Sequence, residues 1–169
     1  MGYKILAINP GSTSTKLAIY EDEKQIYKAS VKHDTEEIQK FKYVWDQFDF
    51  RMDAIMNELS KSGIDISKLD AVVGRGGMLK PLTSGTYLVN ESMIEYLQNR
   101  TRGEHASNLG CAIAKKIADP YGIPSFIVDP VAVDEMDDIA RYTGMPEIQR
   151  QSIFHALNHK AVAYRAAKD

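Results

Sequence analysis

The sequence predicts an α/β domain: a mixed sheet laid down in βββαβα order and flanked by helices. Three observations predict it. Three β-like runs follow one another at the start, at residues 3–8, 16–20 and 25–31. Apolar residues then recur at helical spacing from Phe41 to Leu59. Two short apolar runs, at 69–73 and 125–128, then alternate with helical stretches. Strands that come first in a row and later alternate with helices build one sheet covered by helices.

Each element has a local reason. Asn9 to Gly11 and Glu21 to Lys24 supply the two turns of a three-stranded meander. Asp34, Thr35, Glu36 and Glu37 read as a helix start, with acidic residues in the first turn. Phe41, Val44, Trp45, Phe48, Met52, Ile55, Met56 and Leu59 continue a helical face as far as Gly63, with an interruption expected at residues 48–51. The strand at 69–73 runs into Gly-Arg-Gly-Gly at 74–77. Asn90 and Glu91 open a helix through Gln98, and Glu104 or His105 starts another to about Ala118. The strand at 125–128 ends on Asp129 and Pro130. Residues 134–142 read as a short helix closed by Gly144, and Ser152 as the cap of a last helix from about Ile153. The chain stops at Lys168 and Asp169 without a C-cap glycine, which reads as a fragment.

Composition narrows the function classes. In 169 residues, 44% are hydrophobic and 26% charged, as in an ordinary globular domain. A formal charge of −2 gives no electrostatic footprint for nucleic acid. No apolar run approaches a membrane span, and the start shows neither a signal-peptide core nor, with Leu6 where Ser or Thr is needed, a myristoylation pattern. Cys111 is the single cysteine, so no internal disulfide forms. It sits in a small apolar run that reads as core, and the expected compartment is the cytoplasm.

Polar chemistry collects at strand ends and helix starts. Asn-Pro-Gly-Ser-Thr-Ser-Thr-Lys at 9–16 crowds hydroxyl and backbone N–H donors into one tight turn, with Lys16 adding charge. Phosphate oxygens suit such a concavity, although Pro-Gly is also an ordinary hairpin pair. The spacing is neither the P-loop nor the dinucleotide fingerprint. Arg75, set between glycines, can offer its fork to a carboxylate or phosphate, or simply be solvated in a turn. Asp129 can hold Mg²⁺, directly or through water, or cap the next turn. His105 with Asn108 sits at a helix start, where capping suffices to explain it. His155 and His159, four apart on the expected last helix, lack the glutamate and third ligand of a zinc site. His33 reads as surface. In open α/β sheets the carboxyl ends of the strands are where ligands bind.

Five segments together carry a family resemblance: 9–16, Gly-Arg-Gly-Gly at 74–77, Gly-Glu-His-Ala-Ser-Asn at 103–108, Phe-Ile-Val-Asp-Pro at 126–130 and Ser-Ile-Phe-His-Ala-Leu-Asn-His at 152–159. In that order, and over nearly the whole chain, they resemble the amino-terminal half of an acetokinase-family carboxylate kinase, most closely the butyrate kinase branch. The resemblance implies a ribonuclease-H-like, actin-like ATPase fold and one amino-terminal domain over 1–169, with the nucleotide-binding carboxy-terminal half absent. It implies reversible, in-line transfer of the ATP γ-phosphoryl group to butyrate or another short or branched-chain fatty acid, giving acyl phosphate and ADP. Acetate or propionate as substrate, or a non-catalytic domain of the same superfold, are the competing readings. Asn9, Gly11, Ser12, Ser14 and Lys16 would bind phosphate; Asn9 and Asp129 would organise Mg²⁺. Arg75, Asp129 and His155 would be catalytic, and Arg75, His105, Asn108, Gly77 and Phe154 would meet the carboxylate or acyl phosphate. Where the acetate branch carries bulky residues after the arginine, Gly76 and Gly77 are expected to widen the acyl pocket by about two methylenes, each worth roughly 0.8 kcal/mol on burial. The full-length protein is expected to be a homo-oligomer, and this chain by itself inactive.

Overall fold

The computed structural model describes residues 2–168. Met1 and Asp169, the outermost residues in the expectations about a leader and a missing C-cap, lie outside the described residues. One six-stranded sheet organises the chain, in the order β3-β2-β1-β4-β6-β5. Its strands are β1 (Lys4–Pro10), β2 (Ser14–Glu21), β3 (Lys24–Lys32), β4 (Ala71–Arg75), β5 (Thr86–Leu88) and β6 (Ser125–Val128). The first three form the expected antiparallel meander, β1 pairs β4 and β4 pairs β6 in parallel, and β5 closes the far edge antiparallel to β6. Strand β5 has no counterpart in the sequence reading; three residues are too few to show a period.

The helices are α1 (Thr35–Gln39), α2 (Phe48–Lys61), α3 (Glu91–Gln98), α4 (Leu109–Ala118) and α5 (Ala156–Ala166). Caps act where the sequence places them. The Asp34 carboxylate accepts the Glu36 and Glu37 N–H groups, and the Asn90 side chain accepts the Met93 N–H. The break in the long helical pattern falls earlier than expected. It lies at residues 40–44, and 48–51 instead open α2. There the Asp46 side chain accepts the Tyr43 N–H and begins a new turn at Trp45. Residues 134–142 form no regular helix, only a 3₁₀ turn at Asp138–Arg141. Asp134 spends its carboxylate on the Met136 N–H and, at 2.9 Å from each oxygen, on the Arg141 fork.

Alternation along the strands sorts the two faces. Leu6, Ile8, Leu17, Ile19 and Val72 face α2 and α4, where Ile55, Leu59, Ile113 and Ile117 complete the core. Cys111 joins a second cluster under α3, and burial pushes its thiol up to about 12. Residues of opposite parity, among them Ile5, Ala7, Ala18, Tyr20 and Val73, line a depression of about 580 Å³ on the other face. Among the described residues no helix is long and apolar enough to cross a membrane.

His33 is buried, at 5% exposure, not on the surface. Its Nε2 is hydrogen-bonded to Thr15 Oγ1 at 2.8 Å, while Nδ1 has no partner among the described residues. Burial, and then the charge of Arg51, lower its pKa from 6.5 to about 4. Between those values the unfolded chain binds a proton that the folded chain refuses, so stability falls as pH drops through that window. We expect His33→Gln to remove on the order of 2–3 kcal/mol of the stability lost between pH 7 and pH 4, read by urea unfolding. Parallel pH profiles for parent and variant would contradict this account.

Candidate active site

The same alternation that builds the core projects the polar groups to the opposite face. Asn9 is the next-to-last residue of β1, Lys16 lies across from it in β2, and Arg75 ends β4 beside Val128 of β6. Asp129 follows β6 directly, in the left-handed region at φ 51°. Aspartate tolerates this region better than most non-glycine residues, at a cost of about 1 kcal/mol.

Three groups converge on this aspartate. Arg75 Nη2 donates to Asp129 Oδ2 at 3.1 Å. His155 Nδ1 lies 3.0 Å from the Asp129 carbonyl oxygen and 3.2 Å from Oδ2. The Leu157 N–H donates to Asp129 Oδ1 at 3.1 Å. The carboxylate therefore ties β4 and β6 to the start of α5. Because a carbonyl only accepts, His155 Nδ1 carries the proton, leaving Nε2 as its free nitrogen. Burial lowers the His155 pKa, with the Asp129 contacts opposing and the charge of Arg75 adding to the shift.

Arg75, His105, Ser107 and His155 border one polar cleft of about 330 Å³, together with Asn9, Lys16 and the turn at residues 10–14. His105 reaches it from the N-terminal side of α4, where its Nδ1 is hydrogen-bonded to Ser107 Oγ at 2.7 Å. Burial lowers its pKa first, and the charges of His155, Arg75 and Arg51 lower it further. Around the cleft the cationic or potentially cationic groups are Lys16, Arg75, His105 and His155. Such a surface, with backbone amides between, suits an anion.

The helix α4 can bring His105 this near because two glycines meet. A Cβ on Gly74 would lie 2.5 Å from the Gly110 carbonyl carbon, and one on Gly110 would be 3.2 Å from the Arg75 carbonyl carbon and closer to its oxygen. Backbone thus packs on backbone at the crossing of β4 and α4.

Several expected site residues are placed otherwise. Gly77 leaves no acyl volume, because a Cβ there would meet Asn108 Oδ1 at 2.5 Å and its Cα at 2.6 Å. Gly76 is filled in the same way by Pro130. The two glycines allow close approach and do not widen a pocket. Asn108 is buried and structural: Oδ1 accepts the Met78 N–H and Nδ2 donates to the Gly103 carbonyl. Phe154 is half exposed, edge-on to His159, and borders neither cavity just described. Ser152 caps nothing; its hydroxyl donates to the Val133 carbonyl, and α5 begins four residues later. His155 therefore stands just before the helix as its N-cap, with its carbonyl accepting the His159 N–H and its ring turned to Asp129. No group of three or more His, Cys, Asp or Glu side chains that could hold a metal occurs among the described residues.

One residue that the sequence reading missed is Arg51. It is 1% exposed and reaches from α2 to the turn, donating from Nη1 to the Gly11 carbonyl and from Nη2 to the Ser12 carbonyl. The signal was present: Gln47, Arg51, Ile55 and Leu59 make a row at spacing four, and all are buried.

No family model matches the chain. A probable butyrate kinase of Clostridium botulinum (strain Eklund 17B / Type B) is 57% identical over 169 residues, covering 100% of this chain and 48% of that protein. Butyrate kinase 2 of Clostridium acetobutylicum is 54% identical over the same shares, as is a probable butyrate kinase of Listeria innocua. The chain thus spans about half the length of the curated relatives it matches. Among solved structures, Porphyromonas gingivalis acetate kinase superimposes with a TM-score of 0.66 at 18% identity, covering 98% of this chain and 48% of that one. A propionate kinase from Francisella tularensis gives 0.59 at 17% identity, over 98% and 48%. The domain shares the actin-like fold of these kinases.

Proposed function

We propose that this chain, 57% and 54% identical along its whole length to two butyrate kinases, belongs with them, and that the protein carrying it transfers the γ-phosphoryl group of ATP to butyrate or a similar short fatty acid. The chain supplies the amino-terminal domain, and the adenosine site lies in the remaining half. The observation that carries this reading is that Asp129 holds Arg75 and His155, and both of these border the cleft lined by the 9–16 turn.

Each group then has a task. Arg75 keeps one Nη on Asp129 and offers its remaining donors to the carboxylate of the acceptor. Lys16, Ser12, Ser14 and the turn amides hold the migrating phosphoryl group. A carboxylate oxygen forms the new P–O bond while the bond from phosphorus to the ADP oxygen breaks. His155 can donate from Nε2 only as imidazolium, since Nδ1–H is committed to Asp129. A phosphoanion in the cleft favours that form against the burial that disfavours it. Positioning and charge neutralisation supply most of the catalysis in such transfers.

Mg²⁺ fits this donor set as an ion held mainly by phosphates. Among the described residues no carboxylate lines the polar cleft and Asp129 is the only one lining the adjoining depression, and both its oxygens already accept hydrogen bonds. Its remaining lone pairs and the Asn9 amide oxygen suit a hydrated ion through water. When bound, the ion offsets negative charge on the nucleotide.

The test is a hydroxamate assay on the full-length protein with acetate, propionate, butyrate and isobutyrate. ATP-dependent acyl hydroxamate with the highest kcat/KM for a four-carbon acid is expected. A protein that forms none is not a carboxylate kinase, and a preference for acetate would overturn the assigned chain length.

A further inference from the structure

The turn at residues 11–14 has every carbonyl tied back. Gly11 and Ser12 give theirs to Arg51 at 2.8 and 2.9 Å, Thr13 accepts the His33 N–H at 2.9 Å, and Ser14 accepts the Gly11 N–H at 2.7 Å. The peptide bonds are trans. In a trans peptide the C=O of one residue and the N–H of the next point in opposite directions. Holding the Gly11 and Ser12 oxygens against Arg51 therefore directs the Ser12 and Thr13 N–H groups away from it. Neither N–H makes a hydrogen bond among the described residues, and both residues border the polar cleft.

The guanidinium that does this is a buried cation with neutral partners. Its third donor, Nε, is 2.9 Å from Gln47 Oε1. It forms no ion pair among the described residues, and burial is the one influence that moves its own pKa, downward. Its charge is felt at His33 and at His105, across the cleft. A buried charge is costly unless its surroundings repay it. An arginine used only as a strut would be expected to have a carboxylate beside it. An anion bound on the far side of the turn is the natural counter-charge.

We propose that Arg51 is a positioning residue for phosphate recognition: by gripping the Gly11 and Ser12 carbonyls it turns the Ser12 and Thr13 amides into the cleft as receptors for a phosphoryl oxygen, and its charge balances that anion through the turn. The inference rests on reading the cleft as a phosphate site, and it assigns the work to a residue that never touches the ligand.

The experiment uses the full-length protein with Arg51→Met and Arg51→Lys. Methionine keeps the bulk and loses charge and both bonds; lysine keeps the charge but lacks the planar fork whose two nitrogens meet the two carbonyls separately. Arg51→Met should raise the ATP KM and lower kcat by about 10- to 100-fold, less than the full loss of an oxyanion donor, while the butyrate KM stays within about twofold. Arg51→Lys should fall between. Inorganic pyrophosphate should shift the Ser12 and Thr13 amide resonances in the parent and not in Arg51→Met. If Arg51→Met does not fold, Arg51→Lys decides by the same split between the two KM values. A folded variant with parental ATP KM and parental pyrophosphate shifts overturns the proposal, and so does an equal rise in both KM values, which marks general collapse. A parent whose amides ignore pyrophosphate also overturns it. A parent that shows the shifts yet makes no acyl phosphate leaves Arg51 in its role and removes the kinase reading alone.

Discussion

Replacing Arg75 by alanine is expected to lower acyl phosphate formation by the full-length protein by about 10²–10³-fold, the loss typical of one group that stabilises developing charge. Two effects add. In the proposed reaction the carboxylate of the acceptor loses the Arg75 donors offered to it, which raises its KM. Asp129 loses the cation at 3.1 Å from Oδ2, so a carboxylate that follows β6 in a left-handed conformation is left with His155 and one N–H. His155 is then drawn toward the charged form by Asp129 without the opposing field of Arg75, and its pKa rises. Lysine should restore a minor part of the rate, since it supplies charge without the fork. Steady-state kinetics with butyrate varied at saturating ATP reads both effects. An alanine variant within threefold of the parent would remove Arg75 from the site.

Gly74→Ala is expected to destabilise the domain by about 3 kcal/mol or more, at or beyond the upper end for overpacked cores. The added methyl meets main chain, the Gly110 carbonyl, which cannot swing aside as a side chain would. For a chain of this size the Tm should fall by roughly 6–12 °C. Gly110→Ala should behave alike, because its Cβ meets the Arg75 carbonyl from the other side. Gly144→Ala, which meets nothing within 4 Å and lies outside the left-handed region, is the control and should be nearly neutral. Equal melting temperatures for Gly74→Ala and Gly144→Ala would refute the close crossing of β4 and α4, and with it the way His105 reaches the cleft.

The parts of this molecule that could be read beforehand obey local rules. The meander, the strand at 125–128 and the caps at Asp34 and Asn90 follow from alternation and short-range hydrogen bonding; the strand read at 69–73 lies two residues further on, at 71–75, taking in Gly74 and Arg75. The shared face of Asn9, Lys16 and Arg75 follows once the strand ends are known, because period two fixes it; Asp129 lies just beyond β6, and His155 comes to it from the start of α5, where no strand period applies. What escaped depends on distant partners. Gly77 looks like room until Asn108 is seen to occupy it. Ser152 looks like a cap until its hydroxyl is found on Val133, nineteen residues away. His33 looks exposed until Thr15 and the ring of Phe50, 5.6 Å away, enclose it. Arg51 sat in a helical row whose other members are plainly interior, and a charged side chain there needed its question asked.

The outermost strands of the sheet bear on how this domain survives in crowded solution. An unpaired strand edge is a template for another chain, and aggregation begins there. On β3, which forms one border of the sheet, Lys24, Lys28 and Lys32 recur at even spacing, so a second molecule approaching in register would set lysine against lysine. The opposite border is β5, three residues long, which offers too short a ladder to seed a fibre. Polymerisation by strand addition is thus discouraged at both ends by different means, one by repulsion and the other by brevity.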